Sequence, residues 1–391
     1  MTILATDTVQ LAQALIRCES VTPVEGGALT LLQNVLEPAG FTCHRLVFSD
    51  PGTPDVDNLY ARIGTGRPHL CFAGHTDVVP AGDEAAWTVP PFSGEIRDGV
   101  LYGRGAVDMK GCVAAFVAAA LKYIHHHSGH LPRGSLSFLI TGDEEGPSIN
   151  GTAKVLHWLK DRDEAVDACL VGEPSNPKAL GDEIKIGRRG SLNAEIIVKG
   201  KQGHAAYPQL ADNPVPKLAR IIDRLASAKL DDGTDNFQPS NLQVTVISVP
   251  NTATNVIPAH ASAKLNVRYN DAWDRPKMET FIRETAAKAA AEVGAEHTLS
   301  FSGTGDVFLT KPGMLVDTLS AAVKAVTGRT PALTTGGGTS DARFIKDHCP
   351  VVEFGLVNAT IHQVDEHTSI ADIEALTEIY GRFLTNFFAS V

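Results

Sequence analysis

The chain has 391 residues, and its 34 Lys and Arg against 45 Asp and Glu give a formal net charge of −11. Hydrophobic residues make up 43% and charged residues 20%, which is ordinary globular usage and excludes a disordered, collagen-like or coiled-coil protein. An acidic chain also binds nucleic acid or an anionic membrane poorly without a basic patch, and the sequence contains no basic stripe or basic amphipathic helix.

The first 20 residues predict an amphipathic helix rather than a secretion signal, because they lack a basic start and a long apolar core. No stretch reaches the ~18 apolar residues of a membrane span. Six scattered cysteines without a C-x-x-C pair are typical of free thiols in a reducing compartment. We therefore expect a cytoplasmic protein with no nucleic-acid or membrane partner.

Strands and helices alternate at both ends of the chain. The first part predicts strands at 68–73, 135–141 and 167–171, with helices at 109–127 and 150–159. The last part predicts a helix at 313–327, a strand at 351–354 and a helix at 370–389. This alternation indicates an α/β fold with a mainly parallel central sheet flanked by helices.

The middle of the chain has a different order of elements. It predicts a strand at 192–199, a helix at 213–228, strands at 242–249 and 261–268, a helix at 275–293 and a strand at 297–301. This β-α-β-β-α-β order is typical of a ferredoxin-like α+β unit. We expect an inserted domain at 188–302 that divides the α/β domain into residues 1–187 and 303–391.

Polar side chains follow the predicted strands of the α/β part, where each strand ends. They are His75 and Asp77, Asp108 just before a helix, the pair Glu144 and Glu145, Glu173, and His362. Each one alone has an ordinary explanation, such as a turn histidine, a helix N-cap or a solvated loop carboxylate. Because open α/β sheets bind ligands at the carboxyl ends of their strands, the repetition indicates one active site.

The ligand count points to two metal ions. Two histidines and three carboxylates exceed the needs of one tetrahedral zinc and suit two metals that share a carboxylate. Nitrogen and oxygen ligands without thiolate favour Zn²⁺, with Co²⁺ or Mn²⁺ as possible substitutes. Asp77 is placed to hold the second imidazole nitrogen of His75. The pair Glu144 and Glu145 supplies one ligand and one base, which moves a proton from water to the leaving amine.

The motifs at 74–77, 103–111, 143–146 and 172–174 resemble those of the dinuclear zinc amidohydrolases, a family of aminoacylases, deacylases and carboxypeptidases. The resemblance implies a zinc-peptidase-like catalytic domain with an inserted lid domain, and two Zn²⁺ per subunit. It makes His75 and Glu173 ligands of one zinc, Glu145 and His362 ligands of the other, Asp108 the bridge and Glu144 the general base and acid. His367 lies five residues after His362 and is an alternative ligand, although the motif favours His362.

Further stretches at 187–191, 200–208, 338–341 and 358–362 resemble the branch of this family that acts on N-succinyl-L,L-2,6-diaminopimelate. This small molecule carries carboxylates at both ends, which calls for Arg and hydroxyl donors. The motif match implies seven substrate contacts: Arg188, Ser191, Tyr207, Asn255, Arg268, Thr339 and Asn358. It also makes His204 of the lid an oxyanion-stabilising residue supplied by the partner subunit, and hence implies a homodimer through the lid domain.

Two alternatives remain at this point. The first is a sister enzyme, either an acetylornithine deacetylase or a broader aminoacylase or dipeptidase of the same family. The second is a metal-binding relative that has lost catalysis, but the presence of Glu144 beside all five predicted ligands argues against it.

Overall fold

A computed structural model describes residues 6–390 apart from the side chain of Thr304, so the start of the predicted N-terminal helix lies outside the described residues. The described part contains nine α-helices: α1 (Thr8–Ile16), α2 (Ala28–Leu36), α3 (Lys110–His126), α4 (Thr152–Lys160), α5 (Pro214–Ala226), α6 (Arg275–Glu292), α7 (Met314–Thr327), α8 (Ala342–Ile345) and α9 (Ile370–Ala389). Within residues 6–390, none of these helices has the length and apolar character needed to cross a membrane.

The same residues contain 19 strands: β1 (Thr42–Phe48), β2 (Val56–Ile63), β3 (His69–His75), β4 (Ile96–Arg97), β5 (Val100–Tyr102), β6 (Ser135–Thr141), β7 (Ala168–Val171), β8 (Glu183–Lys185), β9 (Gly187–Arg188), β10 (Gly190–Lys199), β11 (Gly203–His204), β12 (Asn241–Ser248), β13 (Val256–Ile257), β14 (His260–Tyr269), β15 (Glu296–Gly305), β16 (Phe308–Leu309), β17 (Ala332–Thr334), β18 (Val351–Glu353) and β19 (His367–Ser369).

The chain forms two compact units. The first comprises the chain up to Ile186 together with Thr310–Thr334 and the residues from Ser340 onward, and the second comprises Gly187–Leu309 and Thr335–Thr339. The sequence analysis places domain limits at 1–187, 188–302 and 303–391. These limits refer to parts that fold independently, and they stay a prediction.

An eight-stranded mixed sheet forms the centre of the first unit, in the order β1-β2-β6-β3-β7-β18-β8-β17. Its middle strands β6, β3, β7 and β18 are parallel to one another, and β1 and β2 pair antiparallel with their neighbours. Strand β8 is antiparallel to β18 and parallel to β17. Strands β3, β6 and β7 are buried along their whole length, which requires cover on both faces. The predicted mainly parallel sheet flanked by helices is confirmed.

The Ala-rich helix α3 lies in the core of the first unit. It packs against α1 and α9, and Phe116 stacks on Phe72 of β3 with ring centroids 4.2 Å apart. Small alanine side chains let its neighbours approach closely, so α3 is buried almost all round. This rigid support lies directly after the loop that carries Asp108.

The register of the parallel strands brings their carboxyl ends together. His75 pairs with Thr141, Ala73 with Val171, and Val171 with Glu353. The loops after β3, β6, β7 and β18 therefore begin side by side. Close packing explains the glycine before His75, because a Cβ atom on Gly74 would lie 2.5 Å from the Met109 side chain.

The second unit contains a four-stranded antiparallel sheet in the order β12-β14-β10-β15. Alternate residues of β10 and β14 share a buried apolar core with α5 and α6. The order of the six main elements confirms the predicted ferredoxin-like arrangement of this inserted part. Strand β12 lies at an edge of the sheet.

Candidate metal centre

Two histidines and three carboxylates meet at the carboxyl ends of the parallel strands. His75 Nε2 lies 3.1 Å from Asp108 Oδ1 and 3.8 Å from Glu173 Oε1. His362 Nε2 lies 2.9 Å from Glu145 Oε1 and 3.2 Å from Asp108 Oδ2. Asp108 thus directs one oxygen at each histidine, which is the placement expected of a carboxylate shared by two metal positions.

The donor atoms fit divalent metal ions. Two overlapping groups each bring one possible ligand atom per residue within 4.8 Å of one another: His75 with Asp108 and Glu145, and His75 with Glu144 and Glu173. One imidazole and two carboxylates per group suit Zn²⁺, Co²⁺ or Mn²⁺. The second group contains Glu144, so Glu144 is placed to act either as a metal ligand or as a base.

Asp77 holds the second imidazole nitrogen of His75 through its main chain rather than through its carboxylate. The main-chain oxygen of Asp77 accepts a hydrogen bond from His75 Nδ1 at 2.8 Å, whereas the carboxylate Oδ1 lies 3.7 Å away. The carboxylate instead accepts hydrogen bonds from the backbone N–H groups of Glu144 and Glu145, at 3.2 and 3.1 Å. Asp77 therefore leaves Nε2 of His75 facing the carboxylates and also fixes the loop after β6.

Burial, hydrogen bonds and nearby charges shift the pKa values of the side chains in this cluster. Hydrogen bonds with the carboxylates of Asp108 and Glu145 raise the pKa of His362 to about 10. Burial opposes ionisation of Asp108, but hydrogen bonds from His362 and His75 outweigh it and hold the pKa of Asp108 below its usual range. Burial, together with the charge of Glu173, raises the pKa of Glu144 well above its ordinary value. A carboxyl group in this state is suited to proton transfer.

The alternative ligand His367 faces away from the cluster. Its Nδ1 donates to the main-chain oxygen of Asp365 at 2.7 Å, and its ring lies against Tyr102 with centroids 5.1 Å apart. Of the two histidines in this segment, the structure brings only His362 to the carboxylates.

The predicted substrate contacts are divided between the two units. Asn358 lies in the first unit, where its Nδ2 is 3.5 Å from the main-chain oxygen of Pro174, next to Glu173. The second unit contains the other six: Arg188, Ser191, Tyr207, Asn255, Arg268 and Thr339.

Three arginines lie close together in the second unit. Ser191 pairs with Arg268 across β10 and β14. Burial lowers the pKa of Arg268, and the positive charges of Arg189 and Arg188 lower it further. Arg188 also donates from Nη1 to the main-chain oxygen of Gly338 at 2.7 Å. The sequence motif that points to Arg188 contains Arg189 as well, which was not among the predicted contacts.

His204, Tyr207 and Asn255 lie together in the second unit. Strand β11, which carries His204, pairs with β13, and the backbone N–H of Ala205 donates to the main-chain oxygen of Asn255 at 2.9 Å. The rings of His204 and Tyr207 lie 5.6 Å apart. His204 is exposed.

A buried carboxylate beside the cluster belongs to a residue that no sequence pattern indicates. Glu366 has no exposed surface and accepts hydrogen bonds from the loop that carries Asp108. Acidic residues in loops are normally solvated, so composition and spacing give no signal for it.

Comparisons with known proteins identify the family of the chain. The family model described as "Peptidase family M20/M25/M40" matches residues 71–386. A protein of Rhodospirillum centenum (strain ATCC 51521 / SW) named "Succinyl-diaminopimelate desuccinylase" is 59% identical over 386 residues, which cover 99% of this chain and 98% of that protein. A protein of the same name from Bradyrhizobium sp. (strain ORS 278) is 56% identical over 98% of this chain and 100% of its own length.

Solved structures share the fold at low identity. The M20 family metallo-carboxypeptidase Sso-CP2 from Sulfolobus solfataricus aligns with a TM-score of 0.79 and 19% identity, over 98% of this chain and 99% of its own. A Bacillus subtilis protein described as a dinuclear metal-binding peptidase of the M20 family aligns with a TM-score of 0.70 and 17% identity, over 99% of both chains.

Proposed function

The chain belongs to peptidase family M20/M25/M40, and we propose that it is the member that removes succinate from N-succinyl-L,L-2,6-diaminopimelate, leaving L,L-diaminopimelate. The relatives named for this activity match nearly the full chain at 55–59% identity. The observation that carries the chemistry is the meeting of His75, Asp108 and His362, with Asp108 between the two imidazoles.

Two Zn²⁺ ions per subunit are part of this proposal. His75 and Glu173 would hold one ion, Glu145 and His362 the other, and Asp108 both; Co²⁺ or Mn²⁺ are possible substitutes. The split contacts of the Asp108 oxygens support this assignment. When bound, two divalent ions supply Lewis acidity, which lowers the pKa of water and stabilises negative charge on the amide oxygen.

Glu144 carries the proton in the proposed reaction. Water adds its oxygen to the succinyl carbonyl carbon, the carbon–nitrogen bond breaks, and Glu144 passes a proton from the water to the leaving nitrogen. Burial and the raised pKa of Glu144 support this role, because a carboxylate with a raised pKa accepts the proton of water more readily and can still carry it near neutral pH until it passes to the amine. Asp77 keeps the loop in place through the Glu144 N–H.

Charged donors recognise the two ends of the substrate. We assign carboxylate binding to Arg188 and Arg268, with Ser191 beside them, because three clustered arginines form a site for an anion. The remaining proposed contacts are Tyr207, Asn255, Thr339 and Asn358.

We also propose a homodimer formed through the second unit. Strand β12 is an open sheet edge, and its Val246 and Ile247 are 45% and 59% exposed. Ala219 and Ile222 of α5 line an apolar groove beside this edge. An unpaired edge with exposed apolar residues favours pairing with a second copy. In this dimer His204 would act on the oxyanion in the partner's site.

A comparison of substrates tests the function. The zinc-loaded enzyme is assayed in steady state on N-succinyl-L,L-diaminopimelate and on N-acetylornithine. A charge-assisted contact to the extra carboxylate should favour the succinylated substrate in kcat/KM by roughly 10- to 100-fold or more. A preference for N-acetylornithine would contradict the proposal and assign the chain to the sister deacetylase.

A further inference from the structure

We propose that Glu366 is a positioning residue which, together with Arg104, fixes the shared carboxylate Asp108 relative to His362. The proposal rests on the metal centre described above. The two ligands, Asp108 and His362, come from segments more than 250 residues apart in sequence, and Glu366 would hold both segments.

The carboxylate of Glu366 gathers four donors from one loop. Its Oε2 accepts from Arg104 Nη1 at 2.7 Å and from the N–H of Gly105 at 3.1 Å. Its Oε1 accepts from the N–H groups of Val107 and Asp108 at 2.9 and 3.1 Å. Each oxygen therefore serves two donors, and one of the four is the backbone of the shared ligand itself. Only an ionised carboxylate accepts from four donors in this way.

Arg104 ties the same loop to the segment that carries His362. Its guanidinium is buried, pairs with Glu366, and lies over the Trp87 ring with 5.2 Å to the centroid. Its Nη1 also lies 3.3 Å from the main-chain oxygen of Gln363, the residue directly after His362. The two segments are thus joined at Gln363 and at Glu366, one and four residues after the ligand histidine.

The turn itself needs such support. His362 has a φ of +60°, and Asp365 a φ of +58°, a left-handed conformation that residues other than glycine rarely adopt. Surrounding contacts must hold a backbone of this kind in place. Because Glu366 lies four residues after His362, its anchorage limits where the imidazole can lie, and the same carboxylate limits where Asp108 can lie. The result is the 3.2 Å separation of His362 Nε2 from Asp108 Oδ2.

The variant Glu366→Gln tests the role with little change in volume. Its amide NH₂ would face two of the four donors, so at least two hydrogen bonds are lost and the loop before Asp108 must shift. Arg104→Lys is a milder second variant, since lysine keeps the charge but not the planar group over Trp87. Asp365→Asn is the matched control: it changes the adjacent charge, and its side-chain oxygen can still accept from Thr88.

The readout is metal binding by the whole protein and needs no substrate. Zn²⁺ affinity is measured by competition with a chromophoric chelator, ligand geometry by the visible absorption of the Co²⁺-loaded protein, and folding by the thermal midpoint of the metal-free chain. Glu366→Gln should bind the metal about 10- to 100-fold more weakly, with an altered Co²⁺ spectrum. Arg104→Lys should also weaken metal binding and alter the Co²⁺ spectrum, but by less. Asp365→Asn should match the unmodified protein in both measurements.

A purely structural role predicts another result. Glu366→Gln would then lower the thermal midpoint while the folded protein keeps the original affinity and Co²⁺ spectrum, and this outcome would overturn the proposal. If Glu366→Gln does not fold, Arg104→Lys decides by the same criteria. A wrong substrate assignment leaves these readouts unaffected, whereas an unmodified protein that binds no divalent ion would overturn both the metal centre and the role of Glu366.

Discussion

Replacement of Glu144 by glutamine separates the two roles that the geometry offers this residue. Glu144 belongs to a possible ligand group with His75 and Glu173, and it also has the raised pKa of a proton carrier. Glutamine keeps the size of the side chain and the backbone contact of residue 144 with Asp77, 3.2 Å long. We expect Glu144→Gln to retain two metal ions per chain and the original thermal midpoint, while turnover falls.

The expected loss follows from the chemistry of the group. A positioned general acid or base contributes typically ~10²- to 10⁴-fold, which corresponds to about 2.7–5.4 kcal/mol in the activation barrier. Because Glu144 both accepts and donates the proton, we expect the upper half of this range in kcat. The assay combines steady-state kinetics on the succinylated substrate with metal analysis of the same sample.

Glu145→Gln is the control for this experiment. Glu145 Oε1 lies 2.9 Å from His362 Nε2, so its neutral variant should lose bound metal as well as activity. The proton-carrier role of Glu144 is refuted if Glu144→Gln stays within tenfold of the original kcat. It is also refuted if this variant loses one of the two ions, since Glu144 would then be a ligand.

Three further predictions address folding and assembly. Burial lowers the pKa of His69 to about 4. The free energy of unfolding should therefore fall by ~3 kcal/mol as the pH drops from 6.5 to about 4, because in this window only the unfolded chain takes up the proton. Urea titrations should show this slope, and His69→Gln should remove it; a parallel slope in both proteins would contradict the prediction. Asp231→Ala should destabilise the second unit by about 2–3 kcal/mol in denaturant titrations, because the Asp231 carboxylate accepts four hydrogen bonds. The control Asp232→Ala removes an exposed carboxylate and should have almost no effect. Equal losses of stability in the two variants would argue against a stabilising role for the four hydrogen bonds. Mixed His204→Ala and Glu144→Gln chains should regain activity after subunit exchange, because one site of each heterodimer is intact, and no recovery in an exchanged mixture would exclude action across subunits.

The buried strands of the fold are those that the sequence predicts best. Strand β6 is apolar along its whole length and bounded by glycine, so its predicted limits, 135–141, match the structure. Strand β1 is half exposed and contains histidine and arginine, and it has no comparable signal. Helix α2 is also unpredicted, because it is only nine residues long and begins at a glycine without a side-chain cap.

The candidate site likewise contains some residues that the sequence predicts and others that it does not. The ligands are predictable because each follows a strand end, and the strand ends meet through the sheet register. The roles of Glu366 and Arg104 are not predictable, although Arg104 lies within the motif 103–111, because these roles arise from burial and from contacts that span about 260 residues of chain. The choice between the Asp77 carboxylate and its main-chain oxygen depends on local backbone geometry, which spacing alone does not determine.

Metal content and turnover measured on one preparation test the central claim most directly. The metal is removed with a chelator, Zn²⁺ is added back in known amounts, and the hydrolysis of N-succinyl-L,L-diaminopimelate is followed at each step. We predict that two Zn²⁺ bind per chain, that activity disappears with the metal, and that it returns as the ions are restored. Full turnover by the metal-free chain, or two bound ions without hydrolysis of this substrate, would contradict the proposed function.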